Sequence, residues 1–198
     1  MAISTYAELV TACGNWLKRG GLDDRIPEFI VLGEARIARE VKARQMEART
    51  TLTVTDETVD LPADYVSARA VRVQGSNIGW LRYVTPDQFF EEFASSSTSS
   101  RKVYTIVGSE LVFPTTPAGN IDLYYFKKLA ALSSATNTLF TVNPDLYLYA
   151  AMAAAQPFLK NIPQMPVWEG LYQATKDSVN GSHKEGRYPS GMAVVAVS

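Results

Sequence analysis

The spacing of apolar residues changes period twice along this chain, and the two changes constrain its fold more than any single motif. Tyr6, Leu9, Val10, Cys13, Trp16 and Leu17 recur at helical spacing and share one face. Thr5 and Glu8 stand at capping-box spacing ahead of them, so hydroxyl and carboxylate can each satisfy an orphan amide. Gly20-Gly21 is the expected stop. A second helix is expected to follow at once, with Asp23 or Asp24 as N-cap and Pro27 in its first turn. Its stripe is Ile26, Phe29, Ile30, Gly33, Ile37 and Val41, and the short link predicts an antiparallel hairpin of the two helices.

From about Arg49 the period becomes two. Thr51, Thr53 and Thr55 alternate with Leu52 and Val54, Ala68 to Val73 alternates again, and Val103 to Val107 and Glu110 to Phe113 flank a Gly108-Ser109 turn. Tyr124-Tyr125-Phe126 closes this stretch as a strand, and tight turns throughout favour antiparallel pairing. Thr85-Pro86-Asp87 opens one short helix inside it, and Ala94 to Ser100 reads as a mobile Ser/Thr loop. Helix resumes at Asn143-Pro144-Asp145 and runs through an alanine-rich segment that lets a neighbour approach closely; Pro157 should kink or end it. A last helix starts near Pro166, and after Asn180-Gly181 the chain turns Gly/Ser/Pro-rich.

The predicted class is α+β. An N-terminal helical hairpin (1–48) and C-terminal helices (143–180) build one helical bundle with an inserted, mostly antiparallel β lobe (49–142), and a flexible docking tail (181–198) extends from the end of the chain.

At 198 residues the chain can bury a sizeable core without staples. One cysteine, Cys13, excludes an intrachain disulfide and a Cys-cluster zinc site, and one histidine, His183, excludes His-pair metal sites. His183 sits beside Ser182 in what reads as a solvated linker, which is no place to hold a catalytic base. The adjacent pairs Asp23/Asp24 and Glu91/Glu92 lack the separation that two catalytic carboxylates need across a substrate. No Gly-rich phosphate loop follows a strand. The reading is therefore not an enzyme, with no catalytic residue, no metal and no cofactor. The net charge of -1 removes any global drive to coat nucleic acid, although a local basic stripe remains open. No apolar run is long enough to span a bilayer and the first residues do not resemble a signal peptide, so a cytoplasmic origin is expected and no membrane partner.

What remains is contact surface. Arg36, Arg39, Lys42, Arg44 and Arg49 form a charged series that is either a solvated face balanced by Glu34, Glu40 and Glu47, or a contact with a partner subunit or passing DNA. Tyr124, Tyr125 and Phe126 cannot all point to one side of a strand, so either both faces are covered or one aromatic row meets another protein. The tail ends in Met192, Val194, Val195 and Val197, apolar and β-prone. It folds back on the β lobe or docks on another subunit.

Read in order, the chain resembles the head-to-tail adaptor proteins of tailed bacteriophages, in particular those beneath the portal of short-tailed phages. The resemblance lies in Thr5-Tyr6-Ala7-Glu8-Leu9 with Trp16-Leu17, Asp24 to Ile30, Glu34-Ala35-Arg36-Ile37 and Met46-Glu47-Ala48-Arg49. It continues through Leu61-Pro62-Ala63-Asp64-Tyr65, Tyr83-Val84-Thr85-Pro86, Asn143 to Tyr149 and Trp168-Glu169-Gly170-Leu171-Tyr172, and stops before the tail. It implies a structural virion protein of the neck, assembled in the host cytoplasm. Such a protein forms a homo-oligomeric ring, usually twelve-fold, that docks on the portal, offers tail or nozzle proteins a platform, and lets DNA through without reading its sequence. The alternatives are a tail-completion or other neck protein, and a non-viral protein-binding module.

Overall fold

The computed structural model describes residues 3–75, 79–93, 102–160 and 162–185, with 183–185 as backbone only. The first helix, α1, is Tyr6–Leu17. Its capping box forms as the spacing requires: Thr5 Oγ1 accepts from the Glu8 amide at 3.2 Å, and the Glu8 carboxylate accepts from the Thr5 amide at 3.0 Å. The stop comes before Gly20-Gly21. Lys18 takes the left-handed conformation (φ 48°), and its amide closes the last turn on Gly14. Helix α2, Ile26–Glu40, starts without a side-chain cap; the Leu22 carbonyl instead accepts from the Arg25 and Ile26 amides, so neither Asp23 nor Asp24 has the expected role. All of its expected stripe, Ile26 to Val41, is buried.

After a short 3₁₀ turn at Arg44–Met46 come β1 (Glu47–Leu52), β2 (Thr58–Asp60), β3 (Tyr65–Val73) and β4 (Trp80–Tyr83). Helix α3 (Pro86–Glu92) follows, then β5 (Val103–Val107), β6 (Glu110–Val112) and β7 (Ile121–Lys127). The seven described strands make one curled sheet in the order β1-β7-β3-β4-β5-β6-β2. Every pair is antiparallel except β4 with β5, where Arg82 and Tyr83 lie in parallel register with Val103 and Tyr104. Parallel pairing was not expected, but the connection between these strands contains α3 rather than a tight turn, and a crossover of that kind is what parallel strands require. The Ala94 to Ser100 loop lies outside the described residues.

Helices then resume with α4 (Thr138–Val142), α5 (Pro144–Leu159) and α6 (Met165–Glu185). Two features differ from expectation. The short α4, capped by Asn137 Oδ1 on the Phe140 amide at 2.9 Å, precedes the predicted start at Asn143. The last helix runs past Asn180-Gly181, so the His183 backbone is helical rather than part of a linker.

The described residues form two compact units, one drawn from those within Met1–Met46 and Leu129–Ser198, the other from those within Glu47–Lys128. Residues 129–142, assigned to the β lobe from sequence, thus fold with the helices. Leu132 donates its amide to Glu34 of α2 at 2.8 Å, and α4 packs on α5. Helix α5 is buried almost all round, as a central helix must be, with α1, α2, α4 and α6 packed on it. Gly33 meets its alanine-rich stretch so closely that a Cβ there would stand 3.0 Å from the Ala151 nitrogen. In the β unit, Val71, Val73, Tyr104, Leu111, Phe113, Ile121, Leu123 and Tyr125 fill one face of the curled sheet. On the other face, Phe89 and Phe93 of α3 pack with Val84, Val103 and Val112. Each such side chain contributes roughly 1.5–3 kcal/mol on full burial, so these clusters hold the sheet together.

Candidate assembly surfaces

The charged series does not act as one face. Arg36 is engaged within its own unit, where its guanidinium makes a forked pair with the Glu169 carboxylate of α6 at 2.7 and 2.5 Å. It also donates to Glu40 at 3.0 Å and stacks over the Tyr172 ring with 4.2 Å to the centroid. The pair holds the Glu169 carboxyl down to about 2, chiefly through the Arg36 hydrogen bonds. One turn further along, Lys176 of α6 lies 3.7 Å from Glu40, and Asn180 accepts from the Lys42 amide at 3.0 Å while donating to the Glu40 carbonyl. Contacts that advance together along both helices mean that α2 and α6 run side by side in the same direction.

Arg39, Lys42 and Arg44 are exposed. Arg49, on β1, belongs to the other unit. It donates to Asp122 of β7 at 3.0 Å and lies over the Tyr124 ring at 5.4 Å. Asp122 also accepts from Thr51 at 2.9 Å and from Gln74 at 2.8 Å. Burial alone would raise the Asp122 carboxyl, but these bonds and the Arg49 charge outweigh it and hold it below the ordinary range.

The aromatic run divides as strand geometry demands. Tyr125 points into the core, stacked on Tyr65, and donates to Asp64 at 2.9 Å. Phe126 is buried as well. Tyr124 is half-buried on the opposite face from Tyr125, edge-on to Trp80 of β4 at 5.5 Å. Trp80 is 56% exposed. A depression of about 240 Å³ lies beside Tyr124, lined by Glu47, Ala48, Arg49, Arg69, Tyr124 and Tyr125. Arg69 pairs with Glu47 there. Trp80, Arg72 and Arg82 did not figure among the sequence candidates. The signal was present in Ala68-Arg69-Ala70-Val71-Arg72-Val73, whose alternation sends Arg72 to the face opposite the buried Val71 and Val73.

The helical unit exposes apolar side chains of its own. Val31 and Leu32 on α2, Phe158 near the end of α5, Ile162 in the following 3₁₀ turn, and Met165 and Val167 at the start of α6 are all more than a third exposed. The Trp16 and Trp168 rings lie tilted to each other, 5.4 Å between centroids, beside Tyr149. Met192, Val194, Val195 and Val197 lie outside the described residues. Among the described residues, no group of His, Cys, Asp and Glu has the makings of a metal site, and no helix is long and apolar enough to cross a membrane. Burial pushes the Cys13 thiol up to about 12, which makes it a poor nucleophile.

An order of elements, two units and exposed faces describe many proteins. Comparison with protein families decides among them, because the profile of the SU10 adaptor proteins matches residues 4–195. The chain belongs to the SU10 adaptor protein family. It is a phage adaptor and a virion component, as the ordered resemblance implied, and the match extends past Asn180 into the segment for which no resemblance had been found. No curated protein matches the chain.

Proposed function

We propose that this SU10-family adaptor forms a homo-oligomeric ring that docks on the portal, presents a platform to tail or nozzle proteins, and surrounds the passage for DNA. The family match across nearly the whole chain carries the reading. The surfaces support it. A ring repeats one heterologous contact, so each copy must offer two different faces, and both units have exposed apolar or arginine-bearing faces. In this reading Leu32, Phe158 and Ile162 pack against other chains, and Arg39, Lys42 and Arg44 meet the DNA passage or a neighbouring subunit. Arg36 keeps α6 on α2, the helical unit is a bundle centred on α5, and the segment 181–198 is a docking tail ending in Met192, Val194, Val195 and Val197. Nothing in this function calls for a cofactor or for catalysis.

Light-scattering mass of the full chain, alone and mixed with the portal ring of its phage, tests the proposal. A discrete oligomer, free or bound to the portal with several copies per ring, is the expected result. A chain that stays at 21.8 kDa with and without portal overturns it. An oligomer that ignores the portal but binds tail proteins turns the reading towards a tail-completion protein.

A further inference from the structure

The β unit is electrically lopsided. On the sheet face opposite the Val71–Leu123 core, Arg49 is matched by Asp122 and Arg69 by Glu47, whereas Arg72 and Arg82 have no ion pair among the described residues. These two unpaired arginines flank the exposed Trp80: Arg72 is its direct cross-strand partner, and Arg82 follows it on the same face of β4. The opposite imbalance lies at the far end of the strand order. Strand β2 is a sheet edge, and Asp60 on it sits directly opposite Glu110 of β6. Both carboxylates are exposed, and Asp56 and Glu57 in the approach to β2 are exposed beside them. Among the described residues, no cation pairs with any of these acids. Like charges directly opposite across a strand pair destabilise it, so a cation brought to this edge would stabilise the pair.

We infer that the β2–β6 acidic edge of one copy docks on the Arg72–Trp80–Arg82 face of the next, so that the β units associate head to tail. The inference rests on the ring reading above and specifies one of its contacts. The occupant is a second copy because the chain carries both halves of the complement. The edge supplies carboxylates to the arginines, the arginines relieve the Asp60–Glu110 repulsion, and Trp80 gives the contact an apolar anchor of the kind favoured at interface centres. A nucleic acid would fit the face less well. Two of its arginines are already neutralised by carboxylates, and a phosphate backbone would leave Trp80 and the acidic edge without a role. Face and edge lie on different parts of one unit, so the contact is heterologous and repeats from copy to copy.

A reciprocal charge swap tests this. One full-length chain carries Arg72→Glu with Arg82→Glu, and a second carries Asp60→Lys with Glu110→Lys. All four positions are exposed, and lysines keep the β2 edge charged against non-specific strand pairing. Because Arg72 lies opposite Asp122 in register, Arg82→Glu alone serves as a variant that leaves the Asp122 network untouched. Each swapped chain should associate about 100-fold more weakly than the unchanged protein, since each places like charges against each other. An equimolar mixture should assemble again, because every contact in an alternating ring is then between opposite charges. Swapped chains that assemble as well as the unchanged one while both remain folded overturn the inference and leave the ring reading intact. So does a mixture that fails to recover. Arginine variants that assemble normally but lose salt-dependent binding of a short DNA duplex reassign the face to DNA. An unchanged chain that never associates, alone or on the portal, removes the ring reading itself.

Discussion

Glu34 and Glu169 show how the same side chain takes opposite roles in one unit. Glu169 is held by the Arg36 fork, and its carboxyl sits near 2 against an ordinary 4.5. Its contribution to stability is complete above about 4.5 and is lost as pH falls through about 2. Half-buried Glu34 is displaced upward, chiefly by desolvation, with the Leu132 amide only partly compensating. Its charged form is a cost at neutral pH that disappears as the solution is acidified through its raised value and past the ordinary one. In urea melts at pH 7, Glu169→Gln should therefore lose about 0.5–1 kcal/mol, a modest figure because the pair is partly exposed. Glu34→Gln should be neutral to stabilising, since the amide oxygen still accepts from Leu132. Both differences should shrink at pH 3, and a stabilising Glu169→Gln would contradict the geometry. The pairing of Arg36 with Glu40 was legible in the sequence as a balanced i,i+4 spacing, but its fork with Glu169 was not. Its partner comes from a helix that only the tertiary fold brings alongside, whereas Arg39 on the same helix stays in water.

At the level of the element, strong periodicity translated well and chain reversals did not. The α2 stripe is buried throughout and the α1 capping box forms, because both depend on local spacing. The α1 stop moved to Lys18, where a left-handed lysine does what a glycine was expected to do. Helix α4 was missed because its five residues hold too little pattern to read, although Asn137 caps it and Leu139 and Phe140 anchor it in the core. The parallel β4–β5 pair was missed because register is set between strands and not along them. The alanine-rich character of α5 did carry its message, and Gly33 is the residue that uses it. Gly33→Ala should destabilise the protein by about 1–2 kcal/mol despite alanine's better helix propensity, because backbone and Cβ atoms of Ala150 and Ala151 stand 3.0–3.1 Å from the new methyl and must be pushed aside. Thermal melting of the single variant measures this, and an unchanged or higher midpoint would show that the helices have room to part.

For the whole molecule, the order of helices, sheet and helices was visible in the changes of period, but the surfaces proposed for assembly were not. Trp80 and Arg72 look like ordinary strand residues until cross-strand register sets them side by side. The same order has a physical cost. One unit is assembled from the two ends of the chain, and the other is a continuous stretch between them, with β1 and β7 paired so that entry and exit lie next to each other. A chain ending at Lys128 should therefore keep sheet structure while Tyr6 to Glu40 lose most of their helicity, as far-ultraviolet circular dichroism would detect; a fully helical N-terminal segment in that truncation would refute the dependence of α2 on α5. This division puts a clock on the protein. During synthesis on the ribosome, Glu47–Lys128 emerges in one continuous stretch, but the apolar stripe of α2 emerges well before α5, the helix that covers it. Until Ala150 and Ala151 arrive to close over Gly33, each nascent adaptor holds Phe29, Ile30 and Ile37 open to whatever is nearby. The interval in which that stripe stands uncovered is the time the ribosome takes to travel from α2 to α5.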